Sequence, residues 1–272
     1  MLYSATDKLK IKILFGRAYL APSPYRQYQH YGSFRPTTDS ITGGINGLTS
    51  DFWRLPAEEL ESQKISTYET GISYIIKSNL IFAINGYIND VDDIISSESY
   101  SGQEFKGIPV AIIERPVNKG RAYSYGGTAK LDFKKSWSTL TLNSFLAYSY
   151  ADGEIDGQQI PYTAQNTIKA AIDLNFKRLS TSTRFIYRSE SYHRNIKDQA
   201  GNRISSDPYG IINLSARYLF VDRDRFETDF FVKINNLLNS RYYNVPVGGA
   251  ESIKMAPQDP IRILLGLQFY FL

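Results

Sequence analysis

The sequence predicts an all-β protein: an antiparallel transmembrane β-barrel segment of about ten strands, with short periplasmic turns and long extracellular loops. Three observations predict it. Apolar residues recur at every second position in one segment after another, the period of a strand whose side chains alternate between two faces. The opposite face carries charge deep inside the strands, as at Lys130 with Asp132, Lys169 with Asp173 and Glu227 with Asp229. The connections alternate between short and long, which is the layout of an outer-membrane barrel.

The strands follow in chain order. Leu9, Ile11, Ile13 and Phe15 share a face against Lys8, Lys10, Lys12 and Leu14. Tyr68, Ile72, Tyr74 and Ile76 oppose Glu69, Gly71 and Ser73, and Leu80, Phe82, Ile84 and Ile88 oppose Asn85, Tyr87 and Asn89. Tyr123, Tyr125, Ala129, Leu131 and Phe133 oppose Ser124, Thr128, Lys130 and Asp132. The pattern repeats over Leu140–Tyr150, Ile168–Phe176, Phe185–Tyr187, Ile212–Phe220 and Phe226–Ile234. The final strand sets Ile263, Leu265, Leu267, Phe269 and Phe271 against Arg262, Leu264, Gly266, Gln268 and Tyr270. Short turns fall at Lys77–Asn79, Lys134–Ser136, Lys177–Leu179 and Val221–Asp224. Long polar links fall at Tyr19–Ile65, Ser96–Gly120, Ala151–Ala164, Ser189–Tyr209 and Leu238–Ile261. Parity places the short turns and the chain end in the periplasm.

Composition narrows the class. Tyr and Phe number 21 and 15 against 2 Trp, and both suit a pleated surface and a membrane-interface belt. Without cysteine there is no disulfide and no thiolate metal site. The net charge of +4 is spread along the chain, so there is no basic tract of the nucleic-acid-binding kind. Mean hydropathy is −0.31 and no apolar run is long enough for a membrane helix; barrel strands escape such a window because half their positions are polar. The opening residues Met1–Lys8 lack the apolar core and small-residue cleavage site of a signal peptide.

Several motifs then carry a resemblance. Ile234-Asn-Asn-Leu-Leu-Asn-Ser-Arg-Tyr242-Tyr, followed by Pro260-Ile-Arg262 and the last strand, resembles the C-terminal region of TonB-dependent outer-membrane receptors, with Leu238 and Ile261 in place of the family's Phe and Gly. Phe15-Gly-Arg-Ala-Tyr-Leu-Ala-Pro22-Ser, Leu60–Gly71 and Asn89-Asp-Val-Asp-Asp-Ile-Ile95 are similar to further family motifs in the same order. Gly266, Phe269 and Phe271 resemble the C-terminal assembly signal of outer-membrane barrels. The resemblance implies that residues 1–272 form the C-terminal part of a receptor barrel, without the plug domain and the N-terminal strands. It implies a bacterial outer-membrane location and uptake of a scarce nutrient: a ferric siderophore, haem or cobalamin-like ligand. The implied partners are outer-membrane lipid, the barrel assembly machinery, and TonB only through the missing N-terminal part. The segment alone is expected not to transport.

Chemistry is expected to be absent: no catalytic residue, no metal, no cofactor. The two histidines, His30 and His193, lie in different long loops without metal-ligand spacing and read as solvated loop residues. Asp92 and Asp93 are adjacent, so they point to opposite faces of a strand. The candidate ligand contacts are Tyr25, Arg26, Tyr28, His30 and Tyr31 in the longest loop, since Tyr and Arg suit recognition surfaces and Arg pairs with an anionic chelate. The alternatives are an autonomous ten-stranded barrel acting as a protease-like enzyme, with its site built on His30 or His193, and a passive pore. Leu131, Leu142, Leu174, Leu214, Phe230 and Leu267 are expected to face lipid, and Lys130, Lys169, Arg217 and Lys233 the lumen. The first and last strands must pair with each other, find another chain, or leave two edges open.

Overall fold

The structure is a computed structural model and describes residues 1–223, 226–246 and 255–271. Asp224 of the fourth expected turn, residues 247–254 of the last link, and Leu272 lie outside the described residues.

β1 (Leu2–Ser4) folds back on β2 (Leu9–Leu20). The first outward excursion holds a one-turn helix, α1 (Pro24–Tyr28), and the strands β3 (Tyr31–Gly32), β4 (Arg35–Thr38) and β5 (Ile45–Arg54). The chain returns as β6 (Gln63–Lys77) and leaves again as β7 (Leu80–Asp92). A second excursion is the hairpin of β8 (Ile95–Phe105) and β9 (Ile108–Asn118). β10 (Ala122–Ser136) and β11 (Leu140–Ile155) follow, with β12 (Gln158–Gln159) folded onto β11. Next come β13 (Asn166–Phe176), β14 (Leu179–Arg188) and a third excursion of β15 (Ser191–Lys197) and β16 (Arg203–Ser206). β17 (Tyr209–Arg223), β18 (Phe226–Asn235), β19 (Tyr243–Asn244), β20 (Ala256–Pro257) and β21 (Arg262–Phe271) complete the order.

Ten long strands form one antiparallel wall in the order β2-β6-β7-β10-β11-β13-β14-β17-β18-β21. Cross-strand partners share a face, and the registers hold one parity across the wall. Leu131 pairs with Phe82 and Leu146, and Leu146 with Ala170. Leu142 pairs with Leu174, and Phe230 with Leu267. Leu214 pairs with Ile234. The polar rows run between them: Lys130 and Lys169 both oppose Ala147, and Lys233 opposes Ser215. The apolar face is bare, with Leu131, Leu146, Ile172, Leu174, Phe230, Leu265 and Leu267 all exposed. A sandwich would bury these side chains between two sheets. In water such a face would be an aggregation surface; in the outer membrane it is the contact with hydrocarbon.

Two details depart from strict alternation. Register shifts leave Ile76 of β6 and Phe220 of β17 unpaired, so Val221 shares a face with Thr228 and the apolar period slips by one beyond the bulge. β10 also runs on to Ser136, which moves the turn expected at Lys134–Ser136 to residues 137–139.

The long links carry strands of their own. The first two fold together: β3, β5, β9 and β8 form an outer sheet in that order, with β4 on β5. Its seam is the parallel pairing of β5 with β9, from Ser50 opposite Val110 to Arg54 opposite Glu114. Leu55, Val110 and Ile113 are buried beneath it, with Trp53 and Phe105 packed against them. The fourth link forms the β15–β16 hairpin. At the wall's two ends, β1 covers only the Lys10–Lys12 part of β2, and among the described residues β2 and β21 share no register. Beyond that short cover, both outer edges stay open among the described residues.

Candidate functional site

Two surfaces of the fold are candidates for ligand contact: the inner face of the wall and the outer sheet. The inner face is set by pleat alternation, and its charges are partly paired. Lys12 Nζ lies 3.1 Å from Glu69 Oε2, Lys130 Nζ 2.7 Å from Asp132 Oδ1, and Arg184 Nη1 2.8 Å from Asp173 Oδ1. Arg217 Nε stands 2.9 Å from Asp229 Oδ2; Asp229 is 1% exposed while the arginine remains 56% exposed. The first three pairs are exposed and contribute little to stability, whereas Arg217 pairs with a buried carboxylate; together they make the inner face a charged lining. A depression of about 570 Å³ opens on it, lined by Asp173, Arg184, Arg217, Lys233 and Gln268 among others.

The outer sheet collects most of the candidate ligand contacts, but not as one cluster. Ser23 caps α1 by accepting from the Arg26 amide at 3.3 Å. The helix turns Tyr25 and Tyr28 outward, 69% and 68% exposed. Arg26 is committed to the fold, its Nη1 donating to the Ile95 carbonyl at 2.7 Å. His30 joins an aromatic group, 5.3 Å from Trp53 and 5.9 Å from Phe105 between ring centres. Tyr31 stands apart, packed on Phe52 at 5.7 Å. The structure therefore places Arg26 and His30 against the sheet and leaves two tyrosines in solvent.

Sequence reasoning missed the centre of this surface. Trp53 and Phe105 lie 4.7 Å apart, and Arg54 pairs with Glu114 across the parallel seam. Beside them a cleft of about 1040 Å³ has Leu55, Phe105 and Ile113 among its lining residues, with Glu58, Glu59, Glu61, Asp93 and Glu104 around Arg115. Arg115 pairs with Glu58, and Lys64 Nζ lies 2.8 Å from Asp93 Oδ2. On the same hairpin, Lys119 and then the Tyr100 hydroxyl hold the Glu98 carboxylate below its ordinary range. No local pattern signals the seam, because its partners are 60 residues apart, as at Arg54 and Glu114.

His193 corrects another expectation. It is 3% exposed rather than solvated. Its Nδ1 accepts from the amides of Asn195 and Ile196 at 3.0 and 2.8 Å, so the proton sits on Nε2. The ring thus ties down the backbone of the fourth long link. Asp92 and Asp93 are each tied to a cation, Arg121 and Lys64 respectively. Among the described residues, no set of His, Asp and Glu is placed to hold a metal ion.

The motif near the chain end has a clear physical basis. Asn236, 2% exposed at φ 52°, sits where Asn is tolerated better than other side chains. Its Nδ2 donates to the carbonyls of Ser240 and Asp259 at 2.9 and 3.2 Å, and its Oδ1 accepts from the Ser240 amide at 2.9 Å. Asn239 Oδ1 accepts from the Ile261 amide at 3.0 Å. Two asparagines thus fasten the exit of β18 to the entry of β21.

Comparison with known proteins agrees with this architecture. The family model described as "TonB dependent receptor-like, beta-barrel" matches residues 1–237. No curated protein matches the chain by sequence. Among solved structures, the outer-membrane transporter YddB from Escherichia coli is 12% identical with a TM-score of 0.69, over 98% of this chain and 39% of that one. The FrpB iron transporter from Neisseria meningitidis is 15% identical with a TM-score of 0.63, over 100% and 38%. A ferric enterobactin receptor variant, PfeA, from Pseudomonas aeruginosa is 17% identical with a TM-score of 0.67, over 100% and 39%. At these identities the likeness is one of fold, and the chain spans roughly two fifths of each of these structures. The family is one of outer-membrane receptors, not enzymes. With its wall of alternating faces, its open edges and a family match over residues 1–237, the chain belongs to the TonB-dependent receptor β-barrel family.

Proposed function

We propose that residues 1–272 supply the C-terminal wall of an energised outer-membrane transporter whose cargo is a scarce nutrient of the ferric siderophore, haem or cobalamin class. In this reading the wall completes a larger barrel through the open edges of β2 and β21. TonB is engaged through parts of the receptor other than this wall. Gly266, Phe269 and Phe271 act as the signal to the barrel assembly machinery, with both aromatics exposed on the outward face. Outer-membrane lipid covers that face.

One observation carries the proposal: ten strands keep one lipid face and one charged lumenal face, yet among the described residues β2 and β21 do not pair with each other and, apart from the short cover of β1 on Lys10–Lys12, have no partner on their outer edges. An open edge in hydrocarbon leaves backbone groups unsatisfied, so the wall is built to be continued. The lumenal charge supports an anionic cargo within that class. Lys10, Lys169, Arg188 and Lys233 all face inward by register, and none has an ion-pair partner among the described residues. An iron chelate bearing carboxylate, catecholate or hydroxamate oxygens suits such a wall.

The test is accumulation of radioactive iron chelates, haem and cobalamin by nutrient-starved cells, with and without TonB. Cells carrying the complete barrel should accumulate one of them only when TonB is present, and cells carrying residues 1–272 alone should accumulate none. TonB-dependent uptake by residues 1–272 alone would overturn the proposal.

A further inference from the structure

Among the described residues the lipid face carries a hollow, and we propose that this hollow is a seat for the acyl chain of an outer-leaflet lipid. The inference rests on the reading that lipid covers this face. Three neighbouring strands place small residues side by side, Thr70 opposite Gly86 and Gly86 opposite Gly127. The next outward row towards the extracellular end holds Phe15, Tyr68, Ile88 and Tyr125, and the next row towards the periplasm holds Ile72, Ile84 and Ala129. The low row of Thr70, Gly86 and Gly127 opens a depression of about 440 Å³ with Ile72, Ile84 and Ala129 along its periplasmic side.

β11 closes one end of it with Tyr148 and Tyr150. Both tyrosines hand their polar ends to neighbours: Tyr148 donates to Asn166 Oδ1 at 2.7 Å and Tyr150 to Asp152 Oδ2 at 3.2 Å. The rings are left as apolar walls. The hollow is continuous with the lipid-facing band and lies directly below the extracellular tyrosine row, where outer-leaflet chains enter the hydrocarbon. A linear hydrocarbon chain is the occupant of matching shape and polarity. A protein partner is disfavoured by size, because eleven residues line the hollow against roughly 20–30 per side in a specific interface.

Gly86 makes the proposal testable without breaking the wall. A Cβ built there would meet only ordinary contacts, 3.6 Å to the Gly126 carbonyl and 3.7 Å to Thr70 Cγ2. Gly127 is unsuitable, since its Cβ would lie 2.7 Å from the Asn85 carbonyl. The experiment labels outer-membrane vesicles containing the protein with a phospholipid carrying a photoactivatable diazirine in its acyl chain, then maps labelled residues by mass spectrometry. The hollow (Ile72, Ile84, Tyr148, Tyr150) should take more label per residue than the flat row of Leu142, Leu174 and Leu265, and Gly86→Leu should abolish that excess while leaving the flat row unchanged. Equal labelling of hollow and flat row in the unaltered protein would overturn the seat while leaving lipid contact intact. Absence of label from both would overturn the lipid-facing reading itself.

Discussion

Asn236 and Ser240 form a reciprocal pair: the Asn236 Nδ2 donates to the Ser240 carbonyl and its Oδ1 accepts from the Ser240 amide, both at 2.9 Å. The side chain behaves as a short stretch of strand edge, and a third bond to the Asp259 carbonyl brings in the segment before β21. Asn236→Asp keeps size and the acceptor but loses both donations inside a buried site. The expected cost is about 1–3 kcal/mol, read as a lower midpoint of urea unfolding in detergent or lipid. An unchanged midpoint would show that this knot does not hold β21 in place.

Gly266 is fixed by its cross-strand neighbour. A Cβ at this position would stand 2.5 Å from Phe231 Cζ, because the Phe231 ring lies over the glycine on the lumenal face. Gly266→Ala should therefore destabilise by about 1–3 kcal/mol through overpacking. Gly266→Ala combined with Phe231→Leu should lose less than the two single changes together. Additive losses would mean that the ring and the glycine are not coupled.

Lys130 and Leu131 are sequence neighbours on opposite faces of the wall. Leu131→Arg places a charge in hydrocarbon near mid-strand and should cost about 2–4 kcal/mol. Lys130→Ser removes an exposed pair with Asp132 and a cation–π contact with Phe145 and should cost about 1 kcal/mol. Unfolding titrations of the two variants in the same bilayer check the contrast, and equal costs would contradict the assigned faces.

The wall was legible because period-2 alternation is a local signal that survives without knowledge of partners. Each of the ten strands carries its own apolar and polar faces, and the pairing order follows the chain. Local reading failed where partners are distant. Phe52-Trp53-Arg54 pairs with Ile112-Ile113-Glu114, and neither segment alternates cleanly enough to stand out as a strand. The burial of His193 was equally invisible, since it depends on Tyr162, 31 residues earlier, packing edge-on against the ring. The expected contacts Tyr25 to Tyr31 share a loop, but a helix and two sheet contacts send their side chains in different directions.

The turn between β4 and β5 should respond to acid. Asp39 accepts from the amides of Thr42 and Ile41 at 2.8 and 2.9 Å, and from the Thr42 hydroxyl at 3.2 Å. These bonds hold its carboxyl below the ordinary Asp range. The folded turn therefore binds its proton later than the open turn does. Its stabilisation is present above the ordinary value of about 3.9 and is lost as the pH falls through the lowered one. Protection of the Ile41 and Thr42 amides from hydrogen exchange should fall over that window relative to Asp39→Asn, whose amide oxygen accepts the same bonds without titrating. Identical acid profiles for the two proteins would remove Asp39 as the cause.

The central claim is that one wall separates hydrocarbon from a water-filled, charged lumen, and chemical accessibility tests it most directly. The chain has no cysteine, so single cysteines report without background. Lys169→Cys and Asp173→Cys on one face of β13, and Ile172→Cys and Leu174→Cys on the other, should be assayed in intact outer membranes with a water-soluble and a hydrophobic maleimide. The account predicts that the water-soluble reagent labels positions 169 and 173 and spares 172 and 174, while the hydrophobic reagent labels 172 and 174. Protection of positions 172 and 174 from both reagents, as in a dry core between two sheets, would contradict it.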